Sequence, residues 1–301
     1  MPWLDSFINL IPVTLATSLV YAYVALAIML PFRLLSFPDL TSEGAFPLGG
    51  CICAALLLAE VNPLVATLAA VLFGALAGAT TALIHLALRI NTLLAGILVM
   101  TALYSVNLRV LGRGNVALFT VDNIFLWVDP RILTSDVAKI VFFGALLLAV
   151  LLAMWWFLHT EMGTTLRAVG ANPSLAPSLG INVWTWTITG LAIGNAAAAL
   201  AGALLVQQQG FADIGMGFGI LITGLAALVI GETILGRGSI ARILAGPVIG
   251  AAVYYQLVSF GLALGLHPSD LKLATAVFVL IALAVPALRG TASASREAMR
   301  G

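Results

Sequence analysis

Long apolar runs with almost no charge inside them recur along this chain, and they leave it few folds. Residues 63–88, P-L-V-A-T-L-A-A-V-L-F-G-A-L-A-G-A-T-T-A-L-I-H-L-A-L, are representative. About 20 apolar residues rising 1.5 Å each cross a hydrocarbon core of roughly 30 Å. Lipid offers no partner to backbone N–H and C=O groups, so such runs close their hydrogen bonds internally and fold as helices. Transmembrane β-barrel strands are shorter and alternate apolar with polar positions, which these runs do not. Charged residues make up 8% of the chain, against roughly 25% in a soluble domain. That is too little to coat a surface facing water, and a net charge of +1 implies no nucleic-acid partner. The expected fold class is an all-α polytopic membrane protein.

Nine spans are predicted, at residues 8–30, 44–58, 63–88, 93–110, 138–158, 184–206, 217–235, 240–264 and 271–288. The second is short and bounded by glycine, as a half-helix would be. Residues 1–290 read as a single transmembrane domain and 291–301 as a polar C-terminal tail. The opening M-P-W-L-D lacks the basic region of a cleaved leader. Positive residues near span ends set orientation. With the C-terminus inside and the N-terminus outside, the inner face carries Arg33, Arg89, Arg167, Arg237, Arg242, Arg289, Arg296 and Arg300. The outer face carries Arg109, Arg113, Arg131, Lys139 and Lys272. The chain is therefore expected to cross a membrane, in contact with lipid along its spans.

A faint internal repeat accompanies the spans. F-P-D-L at 37–40 precedes the second span and F-A-D-I at 211–214 precedes the seventh. An offset of five spans reverses direction across the bilayer, so the two halves are expected to be inverted repeats with broken helices.

The longest polar insertion of the second half is T-E-M-G-T-T-L-R-A-V-G-A-N-P-S-L-A-P-S-L-G-I-N, residues 160–182. Thr164 to Val169 should form a short helix ended by Gly170. Asn172 should cap a second, with Pro173 at its first position and Gly180 past its end. Pro177 would shorten that second helix. Two capped helical turns outside the bilayer are more than a reversal of direction needs, and they resemble a handle for another protein.

Motifs of self-contained chemistry are missing. No G-x-x-x-x-G-K-[ST] phosphate loop and no H-E-x-x-H occurs, and the three histidines, His85, His159 and His267, are far apart. Few charges lie deep in the spans, which argues against an ion relay. Cys51 and Cys53, two apart on one helix, read as core packing.

Three stretches together resemble the permease subunits of bacterial ATP-binding-cassette importers of the branched-chain amino acid type. They are F-R-L-L-S-F-P-D-L-T-S-E-G-A-F-P-L-G-G at 32–50, G-T-T-L-R-A-V-G-A-N-P-S-L-A-P-S-L-G-I-N at 163–182, and I-T-G-L-A-A-L-V-I-G-E at 222–232. L-L-A-G-I-L-V-M-T-A-L-Y-S-V-N-L-R at 93–109 is similar to the branch proposed to carry tryptophan and tyrosine. Related permeases carry sugars and nucleosides.

The resemblance implies a non-catalytic transport subunit that binds no cofactor of its own. It implies a second permease copy as a homodimer partner, a cytoplasmic ATPase dimer that uses ATP and Mg, and an external solute-binding protein. The polar insertion becomes a cytoplasmic coupling helix. Leu166, Val169, Leu175 and Leu179 would then be apolar knobs for the ATPase, Arg167 a partner for an acid there, and Asn172 the cap between the two turns. Asp39, Thr41, Ser42 and Glu43, with Asp213, Gly215 and Gly217, are the candidate transport pathway, because half-helix N-termini present free N–H groups. Glu232 and Arg237 form a candidate cytoplasmic gate. Gln207, Gln208 and Gln209 read as a solvated helix end, and Asn91 and Asn107 as helix-end residues. Two other classes stay open: a stand-alone carrier or channel, and a lipid-modifying membrane enzyme, the latter disfavoured by the lack of clustered acids.

Overall fold

The computed structural model describes residues 2–128, 135–265, and beyond these 267, 270, 273, 276, 277 and 280. Helix α1 (Pro2–Met29) passes into a π-helical turn, Leu30–Leu34. It is followed by α2 (Ser42–Leu58), α3 (Pro63–Leu88) and α4 (Thr92–Leu111). A short strand β1 (Asn115–Ala117) and α5 (Ile124–Val128) lead to α6 (Asp136–His159) and α7 (Glu161–Ala171). A 3-10 turn (Ala176–Leu179) precedes α8 (Val183–Gln209), β2 (Phe211–Asp213) and a second 3-10 turn (Ile214–Gly217). Helices α9 (Ile220–Leu235) and α10 (Ile240–Ala263) complete the bundle.

Among the described residues, seven helical segments are long and apolar enough to cross a membrane. The protein is thus a multi-pass membrane protein. The predicted second span is not one of the seven: α2 is a shorter apolar helix. The predicted ninth span, 271–288, lies mostly outside the described residues, and the 291–301 tail lies wholly outside them. The fold is mostly helical rather than purely so, because β1 and β2 pair antiparallel with Asn115 opposite Asp213 and Ala117 opposite Phe211.

Local signals set the helix ends. Asn62 Oδ1 accepts the Leu64 N–H at 2.9 Å, with Pro63 at the first helical position. Asn91 does the same for Leu93 at 2.8 Å and Asn182 for Trp184 at 3.0 Å. Each fills one orphan donor of a first turn. Gly112 and Gly210, both at φ +75°, end α4 and α8 in the left-handed conformation that glycine adopts without strain.

Helix α8 is the centre, packed against α1, α2, α3 and α7. Small residues let it sit close. A Cβ on Gly49 would strike the Ala199 backbone, one on Gly78 the Leu191 carbonyl, and one on Gly202 the Phe46 carbonyl. With no hydrophobic drive between helices in lipid, such backbone proximity is what holds them together. Cys51 and Cys53 are buried and free, as core packing requires.

The bundle has two ends. At one, the Ser36 hydroxyl donates to Gly170 O of α7 at 3.2 Å. At the other, Phe7 of α1 meets Phe260 of α10 edge-on at 5.5 Å, and β1 pairs with β2. Helices α1 and α6 therefore run toward the α7 end, and α8 and α10 run away from it.

Candidate functional site

The α7 end carries the polar insertion. Thr160 caps α7, its hydroxyl accepting the Gly163 N–H at 3.4 Å. The helix runs to Ala171, so Gly170 lies inside it and does not end it. The reason is packing: a Cβ on Gly170 would run into the Leu34 carbonyl. The second predicted helix is a single 3-10 turn. Asn172 Oδ1 accepts the Leu175 N–H at 3.1 Å and the Ser174 hydroxyl at 2.7 Å, and Gly180 closes the turn at φ +76°. Pro177, inside the turn, removes a backbone donor and keeps it short.

Two of the four predicted apolar knobs face the wrong way for a partner. Leu166 and Val169 are 0% and 2% exposed, buried in the protein's own core. Leu175 and Leu179 are 52% and 67% exposed. Arg167 folds back on its own helices, donating to Leu158 O at 3.2 Å and to Gly163 O at 3.4 Å. It satisfies a carbonyl at the C-terminus of α6 and, among the described residues, reaches no acid. The insertion is thus anchored by one face, through Leu166, Val169 and Gly170, and free on the other.

Beside that anchor, Glu232 near the end of α9 binds two arginines. Arg33 Nε and Nη2 donate to its two oxygens at 2.7 and 2.6 Å, and Arg237 Nη2 donates at 2.7 Å. Glu232 and Arg237, the candidate gate residues, are thus joined by an ion pair. Arg33, 199 residues away in sequence, was legible only as one of the positive residues of that face.

Between the ends, α2 and α9 start close together. Glu43 Oε1, in the first turn of α2, accepts the N–H of Gly219, the residue just before α9, at 3.1 Å. A Cβ on Gly217 would strike the Glu43 carbonyl. The two predicted repeat aspartates have matching local geometry. Asp39 Oδ1 accepts the Thr41 N–H at 2.8 Å, and Asp213 Oδ1 accepts the Gly215 N–H at 2.6 Å. Each fastens the chain two residues ahead of itself.

That geometry revises the predicted pathway. Asp39, Thr41 and Ser42 are buried, and none of them lines the pocket beside Glu43. Asp39 Oδ2 accepts from Asn195 of α8 at 2.7 Å, and the Thr41 and Thr81 hydroxyls pair at 2.6 Å. They lock the connector 35–41 to α3 and α8. Asp213 holds Asn115 of β1 at 3.2 Å as well as Gly215, so Asp213 and Gly215 belong to the strand-end turn. Glu43 and Gly217 do line a pocket, of about 350 Å³. Its other walls include Pro47, Met100, Tyr104, Asn107 and Phe218. Asn107 is buried there and is not a helix-end residue, and Tyr104 and Phe218 bring aromatic rings 6.4 Å apart.

Gln207 is not solvated either. It is 2% exposed, accepting the Ile124 N–H at 2.9 Å and donating to Thr67 at 3.0 Å. Among the described residues, no group of three or more His, Cys, Asp or Glu residues could hold a metal ion.

A family model described as "Branched-chain amino acid transport system / permease component" matches residues 11–285. A tyrosine transport system permease protein of Clostridioides difficile is 36% identical over 89% of this chain and 88% of its own length. The ribose import permease protein RbsC of Escherichia coli is 29% identical over 73% of this chain and 72% of its own. A galactofuranose transporter permease protein of the same species is 26% identical over 83% and 72%. No solved structure matches the chain significantly. A family match across nearly all of the bundle, on a chain with seven membrane-length helices, settles the class: the chain belongs to the permease-component family of branched-chain amino acid transport systems.

Proposed function

We propose that the chain is the membrane-spanning subunit of an ATP-driven importer, working as a homodimer in a bacterial inner membrane. An external binding protein delivers a small amino acid, aromatic or branched-chain. A separate ATPase dimer, which consumes ATP and Mg, docks from the cytoplasm on the segment 161–179. The N-terminus lies outside and the C-terminus inside, which puts α7 on the cytoplasmic side in line with the positive residues there. The chain itself makes and breaks no bonds.

The observation that carries this reading is the two-faced build of 161–179. A lever must be fixed to what it moves and open to what moves it. Leu166, Val169 and Gly170 fix it, while Leu175 and Leu179 stand open. The paired Asp39 and Asp213 turns, each ahead of a helix start, support inverted-repeat halves whose broken helices meet near Glu43. The 36% identity to a tyrosine permease favours an amino acid as solute.

The test is uptake into vesicles holding the permease and its ATPase, with L-tyrosine, L-leucine and D-ribose as probes and the binding protein supplied outside. ATP-dependent entry of an amino acid is expected. Entry of ribose alone would move the solute to the sugar class. Entry of solute on an ion gradient, without ATPase, would replace the importer by a stand-alone carrier.

A further inference from the structure

The pocket between α2, α4 and the segment 214–218 has a chemistry that selects its occupant. Pro47, Met100 and the rings of Tyr104 and Phe218 give it apolar walls. Its two strongest polar groups are both acceptors. Glu43 commits Oε1 to the Gly219 N–H and carries a negative charge into the pocket. Asn107 is 1% exposed and gives its Nδ2 to the Gly44 carbonyl at 3.3 Å. Because that partner only accepts, the amide is oriented, and the atom left over is Oδ1. Among the described residues this buried oxygen has no hydrogen-bond partner. A buried acceptor without a donor costs about 1–3 kcal/mol, so the site stands to gain from a ligand that donates.

Among the described residues, no Lys, Arg or His lines the pocket. An anion therefore meets no opposite charge there, only the hydroxyls of Tyr104 and Ser105. A sugar, whose hydroxyls donate and accept in turn, would find the Asn107 amide donor already used and only the Tyr104 and Ser105 hydroxyls left as donors. A primary ammonium fits: three donors, a positive charge and no acceptor. The volume, about 350 Å³, is at the lower end of small-molecule sites, roughly 300–1,000 Å³.

We propose that this pocket is a solute subsite for a primary ammonium borne by a bulky apolar or aromatic side chain. Glu43 and Asn107 receive the ammonium, and Met100, Tyr104 and Phe218 receive the side chain. Aromatic walls also attract the cation itself. The proposal deepens the amino-acid importer reading and rests on it.

The test is equilibrium binding of radiolabelled L-tyrosine to the purified full chain. Its competitors are tyramine, which keeps the ammonium, 4-hydroxyphenylpropionate, which keeps only the carboxylate, and D-ribose. Saturable binding displaced by tyramine and by neither of the others is expected. Glu43→Gln keeps an acceptor for the Gly219 N–H but loses the charge, and should weaken tyrosine and tyramine alike by tenfold or more. Phe218 is 63% exposed, so Phe218→Ala should fold normally and weaken both ligands severalfold. Displacement by 4-hydroxyphenylpropionate, indifference to both substitutions, or no binding by the parent chain would overturn the subsite. ATP-driven tyrosine uptake, measured on the same variants, separates the two readings. Uptake that persists with both variants neutral removes the subsite and leaves the importer; ribose uptake in place of tyrosine removes both.

Discussion

Arg33 and Glu232 form a two-pronged ion pair at 2.7 and 2.6 Å across 199 residues of sequence. The pair joins the end of α1 to the end of α9. Leu34 touches Gly170 of α7 and Ser36 hydrogen-bonds to its carbonyl. One short stretch, 33–36, thus contacts both α7 and the helix that runs back toward the pocket. The Glu232 side chain is 6% exposed, so losing its fork leaves a largely desolvated carboxylate held by Arg237 alone. Arg33→Ala should cost about 2 kcal/mol, in the range of charged hydrogen bonds, read as a lowered Tm. Arg33→Lys should recover only part of it, because an ammonium cannot make the parallel fork. Equal stability of all three proteins would refute this role.

Gly170 is where α7 meets that stretch. A Cβ there would enter the Leu34 carbonyl, a backbone atom that cannot swing aside. Gly170→Ala should cost about 1–3 kcal/mol as overpacking and loosen 161–171. Hydrogen exchange measured across the whole chain should show faster exchange in that helix, with α3 and α8 unchanged. Unchanged protection at 161–171 would mean that the contact does not anchor it.

Gln207 ties α5 to the bundle. Its Oε1 accepts the Ile124 N–H, and its Nε2 reaches Thr67, Ala203 O and the Cys53 sulfur. Gln207→Leu keeps the bulk but strands a buried backbone donor, at about 1–3 kcal/mol. Thermal unfolding should show the loss, and Gln208→Leu serves as the comparison for a change of the same kind one residue away. Equal melting of the Gln207 variant and the parent chain would show that α5 is held by its aromatic packing instead.

How far these features could be read from the sequence depended on whether the signal was local. Spans at 63–88, 93–110, 138–158, 184–206 and 240–264 fall on α3, α4, α6, α8 and α10 within three residues at each end. Hydropathy marks the run, and Asn62, Asn91 and Gly210 mark its ends. The side that a helix face turns to is not local. Leu166 and Val169 lie three apart, on one face of a helix, as docking residues would, yet α7 uses them to bind its own bundle. Asn107 lies four residues inside the end of α4, at Leu111. That is the uncertainty of a boundary drawn from hydropathy, so it passed for a helix-end residue. A polar side chain among small ones in mid-helix, such as Asn195, was the available signal that α8 holds a buried polar contact. Arg33 and Glu232 had no signal linking them, since neither lies in the other's neighbourhood until α1 and α9 pack.

In the proposed importer, 161–179 receives force from an ATPase through its open face. The most direct measurement is ATP-driven tyrosine uptake, with co-purification of the ATPase, for the double variant Leu175→Ala, Leu179→Ala. Both side chains are more than half exposed, so the variant should melt like the parent. It should lose the ATPase on purification and lose uptake by tenfold or more. A double variant that retains the ATPase and full uptake would contradict the account.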